Sequence, residues 1–115
     1  MTLVLLTLIS LEASARCETF TRFGAPVEIC WIQEYRGYFS KKCETNCEAR
    51  TFLDKHEGKP ENIDRSGGKN PASQYCLVLG FSVVVMNDAN LSQQSFCEFP
   101  DKSLVDTNAF ARSLR

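Results

Sequence analysis

The sequence is short of the residues that most enzyme chemistry needs. A single histidine, His56, serves a chain of 115 residues. Histidine relays and Ser-His-Asp or Cys-His pairs therefore have one candidate, set in a polar stretch without an evident partner. Glycine-rich phosphate loops and the Gly-x-Ser-x-Gly nucleophile elbow are missing. Basic residues do not gather: Lys41-Lys42 is the only adjacent pair, and 13 Lys and Arg stand against 14 Asp and Glu. Nucleic acid and anionic membrane both select clustered positive charge, so neither is an expected partner. Beyond residue 15 no apolar run approaches the ~20 residues that cross a bilayer, so stable membrane insertion is not expected. Glu44 and Glu48, four apart beside cysteines, read as a solvated face. The expectation is a chain that is not an enzyme, with no catalytic, cofactor or metal site.

What the chain does have begins at its first residues. Leu3 to Leu11 is apolar apart from Thr7 and Ser10, and Ala13-Ser14-Ala15 follows as a small-x-small cleavage site. The run is too short to span a bilayer and fits the core of a secretory signal peptide over residues 1–15, although no Lys or Arg precedes it. Arg16 before Cys17 is wrong for lipid attachment. Removing residues 1–15, which carry one acid and no base, leaves 100 residues with 13 charges of each sign. The implied location is outside the cytoplasm, periplasmic or secreted.

All six cysteines lie beyond the cut: Cys17, Cys30, Cys43, Cys47, Cys76 and Cys97. An even count in a short exported chain reads as a disulfide framework. Zinc motifs pair cysteines two to four residues apart, twice, and here only Cys43 and Cys47 are that close. Cross-links of about 2–4 kcal/mol each suit a chain with little apolar surface to bury.

The expected fold class is α+β, a small disulfide-stapled domain or domains built from β-hairpins and short helices. Residues 16–53 form an N-terminal Cys-rich hairpin unit, 54–69 a polar loop or linker, and 70–115 a second unit. Val27 to Glu34 is a strand, Arg36-Gly37 a tight turn, Tyr38 to Lys42 the return. That turn sets Cys30 opposite Cys43 and leaves Cys17 for Cys47; the rival pairing is Cys17–Cys30 with Cys43–Cys47. Cys43 to Leu53 is a short helix or irregular turn. Asn70-Pro71-Ala72-Ser73 starts a helix, with Asn capping and Pro at the first helical position. Gly80 ends it. Phe81 to Met86 and Ser92 to Phe99 form a hairpin, Pro100 to Ser103 a turn, and Asp106 to Ser113 a last helix. Cys76 and Cys97 then pair.

Residues 69 to 115 carry a specific pattern: Asn70-Pro71-Ala72-Ser73, Tyr75-Cys76, Gly80, Cys97, Phe99-Pro100-Asp101, Ser103, Ala109-Phe110 and Arg112. It resembles a small exported bacterial domain of unknown function that is often labelled a hemolysin. The resemblance implies an envelope or secreted protein without a known activity. The family usually has Gly where Phe81, Lys102 and Ser113 stand and Trp at Asn108. It also has two further cysteines, at the positions of Val105 and Arg115. Their joint absence fits a bond between them in relatives and supports Cys76–Cys97 as the bridge kept here.

The expected function is a non-catalytic structural or interaction module for a protein partner. The alternatives are an inhibitor-like module for an envelope or extracellular protein, and a membrane-active, hemolysin-like protein. The 54–69 loop and the aromatics Trp31, Tyr35, Tyr38 and Phe39 are the candidate binding surface, with core or cross-strand pairing as the competing role for the aromatics.

Overall fold

The structure is a computed structural model that describes residues 16–56, 58–61, 63 and 70–114. Residues 1–15, where the signal peptide is expected, Glu57, Asn62, all of 64–69 and Arg115 lie outside the described residues. Strands β1 (Arg16–Arg22), β2 (Ala25–Ile32) and β3 (Gly37–Ser40) lead through a 3-10 turn (Lys41–Glu44) to helix α1 (Glu48–Lys55). Helix α2 (Pro71–Val78), strands β4 (Ser82–Asn87), β5 (Gln93–Glu98) and β6 (Leu104–Asp106) and helix α3 (Thr107–Ser113) follow. A mixed α and β fold with three disulfides is what the composition called for.

The two segments that the sequence divides share one sheet. The six strands of the described residues close into an antiparallel barrel in the order β1-β2-β3-β6-β5-β4. β3 meets β6 at Phe39↔Val105, and β1 meets β4 at Thr21↔Asn87. Each segment alone would expose two strand edges with unpaired N–H and C=O groups, and closure removes both.

Two turns decide the cysteine pairing. The sequence reading places no strand before Val27, yet β1 pairs with β2 along its whole length, with Cys17 opposite Cys30. The connecting Phe23-Gly24 has φ of 51° and 80°, as two-residue primed turns require. The second turn is Gln33–Arg36 rather than Arg36-Gly37. Arg36 takes the positive φ, 50°, and Gly37 opens β3. This longer turn sets Cys30 opposite Phe39 and carries Cys43 past the strand end. The bonds are therefore Cys17–Cys30, Cys43–Cys47 and Cys76–Cys97. The first-choice pairs Cys30–Cys43 and Cys17–Cys47 are not formed.

Directly paired residues of a ladder share a face. Glu18, Phe20, Val27, Ile29, Trp31, Tyr38 and Ser40 lie on one face of β1, β2 and β3 by this rule. The buried set Phe20, Ile29, Val84, Met86, Phe96 and Leu104 fills the barrel from that face. The opposite face presents Cys30, Phe39, Cys97 and Val105, all fully buried. Phe39, Cys97 and Val105 join Leu53, Tyr75, Phe99, Ala109 and Phe110 in a second core, formed where the helices cover the barrel. Phe81 packs on Phe99 with ring centroids 4.1 Å apart.

Gly37 serves close approach. A Cβ built on it would lie 2.2 Å from the Ala109 Cβ and 3.1 Å from Asp106 Oδ2. Helix α3 therefore sits directly on β3.

Candidate functional site

The residues that carry the family resemblance are mostly occupied in holding the fold. The Asn70 side chain accepts from the Ala72 N–H at 3.0 Å, and Pro71 is the first residue of α2. Together they satisfy and pre-shape the helix start. Ala72 is half-buried, and Ser73 Oγ lies 3.3 Å from Ser95 Oγ, which in turn lies 2.8 Å from Thr107 Oγ1. Tyr75 is buried under the Lys59 ammonium, 5.1 Å from the ring centroid. Gly80, at φ 92°, turns the chain out of α2 into β4.

The Phe99-Pro100-Asp101-Lys102-Ser103 turn reaches across to the first half of the chain. Phe99 enters the second core while Pro100 stays exposed. Asp101 Oδ1 accepts from the Ser103 N–H at 2.9 Å and from its hydroxyl at 2.5 Å. Asp101 Oδ2 accepts from the Glu48 N–H at 3.0 Å and lies 3.3 Å from Lys42 Nζ. The fully buried Ser103 Oγ accepts from the Ala49 N–H at 3.1 Å. Asp101 and Ser103 thus satisfy two of the free N–H groups at the start of α1, a helix-capping service supplied from a remote turn. Burial by itself would raise the Asp101 pKa. The Ser103 hydroxyl, the Glu48 and Ser103 N–H groups and the Lys42 ammonium outweigh burial and hold it well below the ordinary carboxylate range.

The last pattern residues dock on the β2–β3 turn. Asp106 caps α3 through the Ala109 N–H at 2.8 Å and also accepts from the Tyr38 N–H at 2.7 Å. Ala109 rests on Gly37, and Phe110 is fully buried. Arg112 differs from the rest: it is exposed and charged, and its guanidinium donates to the Arg36 carbonyl.

Arg112 lines a polar cleft of about 510 Å³ where the two segments meet. Glu34, Tyr35 and Arg36 come from the β2–β3 turn, Leu53 and Asp54 from α1, and Arg112 and Ser113 from α3. Its acids are already engaged. The Tyr35 phenol donates to Asp54 Oδ1 at 2.5 Å, and Arg50 pairs with Glu34 at 3.2 Å. Burial and the Asp54 hydrogen bond push the Tyr35 phenol up, against an opposing pull from Arg50, so it stays protonated at neutral pH and acts as a donor. Among the described residues, neither Arg36 nor Arg112 makes an ion pair. The cleft can therefore offer hydrogen-bond donors to an acceptor-rich partner.

Tyr35 reaches the cleft, Trp31 and Tyr38 pair across β2 and β3, and Phe39 is buried in the core. His56 stacks on Phe52 with centroids 4.6 Å apart, and its Nε2 lies 2.9 Å from the Gly58 carbonyl. Cys17, Cys30 and Glu44 bring possible ligand atoms within 4.8 Å of one another, but the two sulfurs are bonded together and are not thiolate donors. The sequence reading missed Arg36, Asp54 and Arg112 as neighbours. Nothing in their spacing marks them, since three separate elements carry them together. No helix among the described residues is long and apolar enough to cross a membrane.

Comparison with known proteins places this geometry only in part. Residues 67–113, less than half of the chain, match a family described as a domain of unknown function (DUF333). No curated protein and no solved structure matches the chain. The matched segment covers α2, β4, β5, β6 and α3, so its edge strands β4 and β6 are completed here by β1 and β3 from outside the match.

Proposed function

We propose that this is an exported, non-catalytic interaction module whose polar cleft engages a protein partner. One observation carries the reading. The other pattern residues of the matched segment are engaged in caps, turns and core, while Arg112 and Arg36 line a cleft whose acids are already satisfied, and neither makes an ion pair among the described residues. Arginine is enriched at binding hot spots because its fork of donors fits acceptor groups with little reorganisation. Three disulfides cross-link the scaffold behind the cleft, joining β1 to β2, the 3-10 turn to the start of α1, and α2 to β5, which lowers the ordering cost of association. Export is supported by the apolar start with its Ala-Ser-Ala site and by the oxidised cysteines.

Two measurements test the proposal. Dye release from liposomes at sub-micromolar protein is expected to be nil, with disulfides intact or reduced. Release that depends on Cys76–Cys97 would make the chain membrane-active and end the module reading. Affinity capture from an envelope extract is expected to yield a protein that is lost with Arg36→Gln/Arg112→Gln. Equal recovery by parent and variant would remove the cleft from the proposal.

A further inference from the structure

We propose that the end of the barrel beside Trp31 binds a single neutral sugar ring. This inference rests on the reading of the chain as a binding module and adds a second site with a ligand class. The ladder sets Arg16, Trp31 and Tyr38 side by side across β1, β2 and β3, on the face that lines the barrel. Ring contacts run outward from the core to this layer: Phe96 to Phe20 at 5.4 Å, Phe20 to Tyr38 at 6.2 Å, Tyr38 to Trp31 at 5.0 Å. Beyond the last pair, Arg16, Cys17, Glu18, Trp31 and Tyr38 line a cavity of about 280 Å³. Barrel mouths are recurrent ligand sites, and this volume lies just below the roughly 300–1,000 Å³ of drug-sized pockets. It suits one small ring rather than a peptide or lipid chain.

The chemistry of the lining selects the ligand. Trp31 donates its indole N–H to Gln33 Oε1 at 2.9 Å, which fixes the ring without using its face. Tyr38 meets it edge-on, at an interplanar angle of 73°. The Cys17–Cys30 bond ties β1 to β2 in the pair next to Arg16 and Trp31, so the mouth is preorganised. The Arg16 and Glu18 side chains contribute one charge of each sign. An anion would meet the Glu18 carboxylate and a cation the Arg16 guanidinium, whereas a polyhydroxylated neutral ring uses both. Its C–H face stacks on an aromatic ring, and its hydroxyls accept from the guanidinium and donate to the carboxylate.

Trp31 is the only tryptophan, so its emission reads this site alone. The disulfide-intact protein is titrated with chitotriose, with maltotriose, and with glycerol as a non-ring control. The expected result is a saturable change in Trp31 emission with an oligosaccharide, half-complete at about 1 mM, and no saturation with glycerol. Glu18→Gln, on the surface, and Tyr38→Ala should each weaken it about tenfold, with the circular dichroism of Glu18→Gln unchanged. No saturable change with either sugar up to about 50 mM, or an unaltered titration in Glu18→Gln, overturns the inference. Such a failure leaves the module reading standing, because that reading is judged by dye release and by capture through the separate cleft.

Discussion

Replacing Gly37 with alanine should loosen the joint between β3 and α3, and a second substitution should restore it. The added Cβ would sit 2.2 Å from the Ala109 Cβ, where carbon atoms ordinarily rest about 3.5–4.0 Å apart. Relief requires α3 to move off the strand by more than an ångström. That movement stretches the 2.7 Å bond from the Tyr38 N–H to Asp106 and the contact of Arg112 with the Arg36 carbonyl. Overpacking costs roughly 1–3 kcal/mol and a lost hydrogen bond about 1 kcal/mol, so the expected loss is about 2–4 kcal/mol. In a domain of this size that lowers the melting temperature by on the order of 10 °C. Ala109→Gly alone should cost about 1 kcal/mol through helix propensity. The double variant Gly37→Ala/Ala109→Gly moves the methyl group from helix to strand and removes the overlap. Urea unfolding followed by Trp31 emission gives all three values, and the double variant should be more stable than Gly37→Ala alone. A neutral Gly37→Ala, or strictly additive losses, would refute the close approach.

Lys102 holds φ at 73°, a left-handed value that costs an L-residue about 1 kcal/mol. Lys102→Gly should therefore raise stability by about 0.5–1 kcal/mol in a thermal melt, and a lower melting temperature would show that the Lys102 side chain contributes more than its backbone strain. Asp101 has a folded-state pKa below its unfolded value of about 3.9, so its contribution is present above that pH and fades as pH falls through the folded value. Urea midpoints should drop less between neutral pH and about pH 3 in Asp101→Asn than in the parent; equal drops would deny Asp101 its part in capping α1. Peptide mapping of the non-reduced protein should give Cys17–Cys30, Cys43–Cys47 and Cys76–Cys97, and a Cys30–Cys43 peptide would contradict the β2–β3 register.

The second half of the chain was largely legible. Asn70 and Pro71 announce a helix start because their effect is local: one supplies an acceptor to an adjacent N–H, the other presets φ. The β-branched run of β4, its return through Asp88 and the final helix capped by Asp106 are readable for the same reason. The first half was misread at two turns. Phe23-Gly24 hid a hairpin because phenylalanine is an uncommon occupant of a positive-φ turn position, and Arg36 took the role that Gly37 advertised. Gly37 was signalling close approach instead, which no local pattern distinguishes from a turn.

The sequence by itself determined that the chain carries an apolar start followed by a small-x-small site, an even set of cysteines and a single histidine. It also determined most element types in residues 70–115, since hydrophobic period, caps and turn residues act over four or five positions. Tertiary structure alone decided how Cys17, Cys30, Cys43 and Cys47 pair, that both halves close one barrel, and that Asp101 and Ser103 cap a helix some fifty residues earlier in the chain. It alone assembled Arg36, Asp54 and Arg112 around one cleft and set Trp31 at the barrel mouth. The physical reason is register: the length of a turn shifts every cross-strand neighbour at once, and that length is settled by what packs on the turn from elsewhere in the chain.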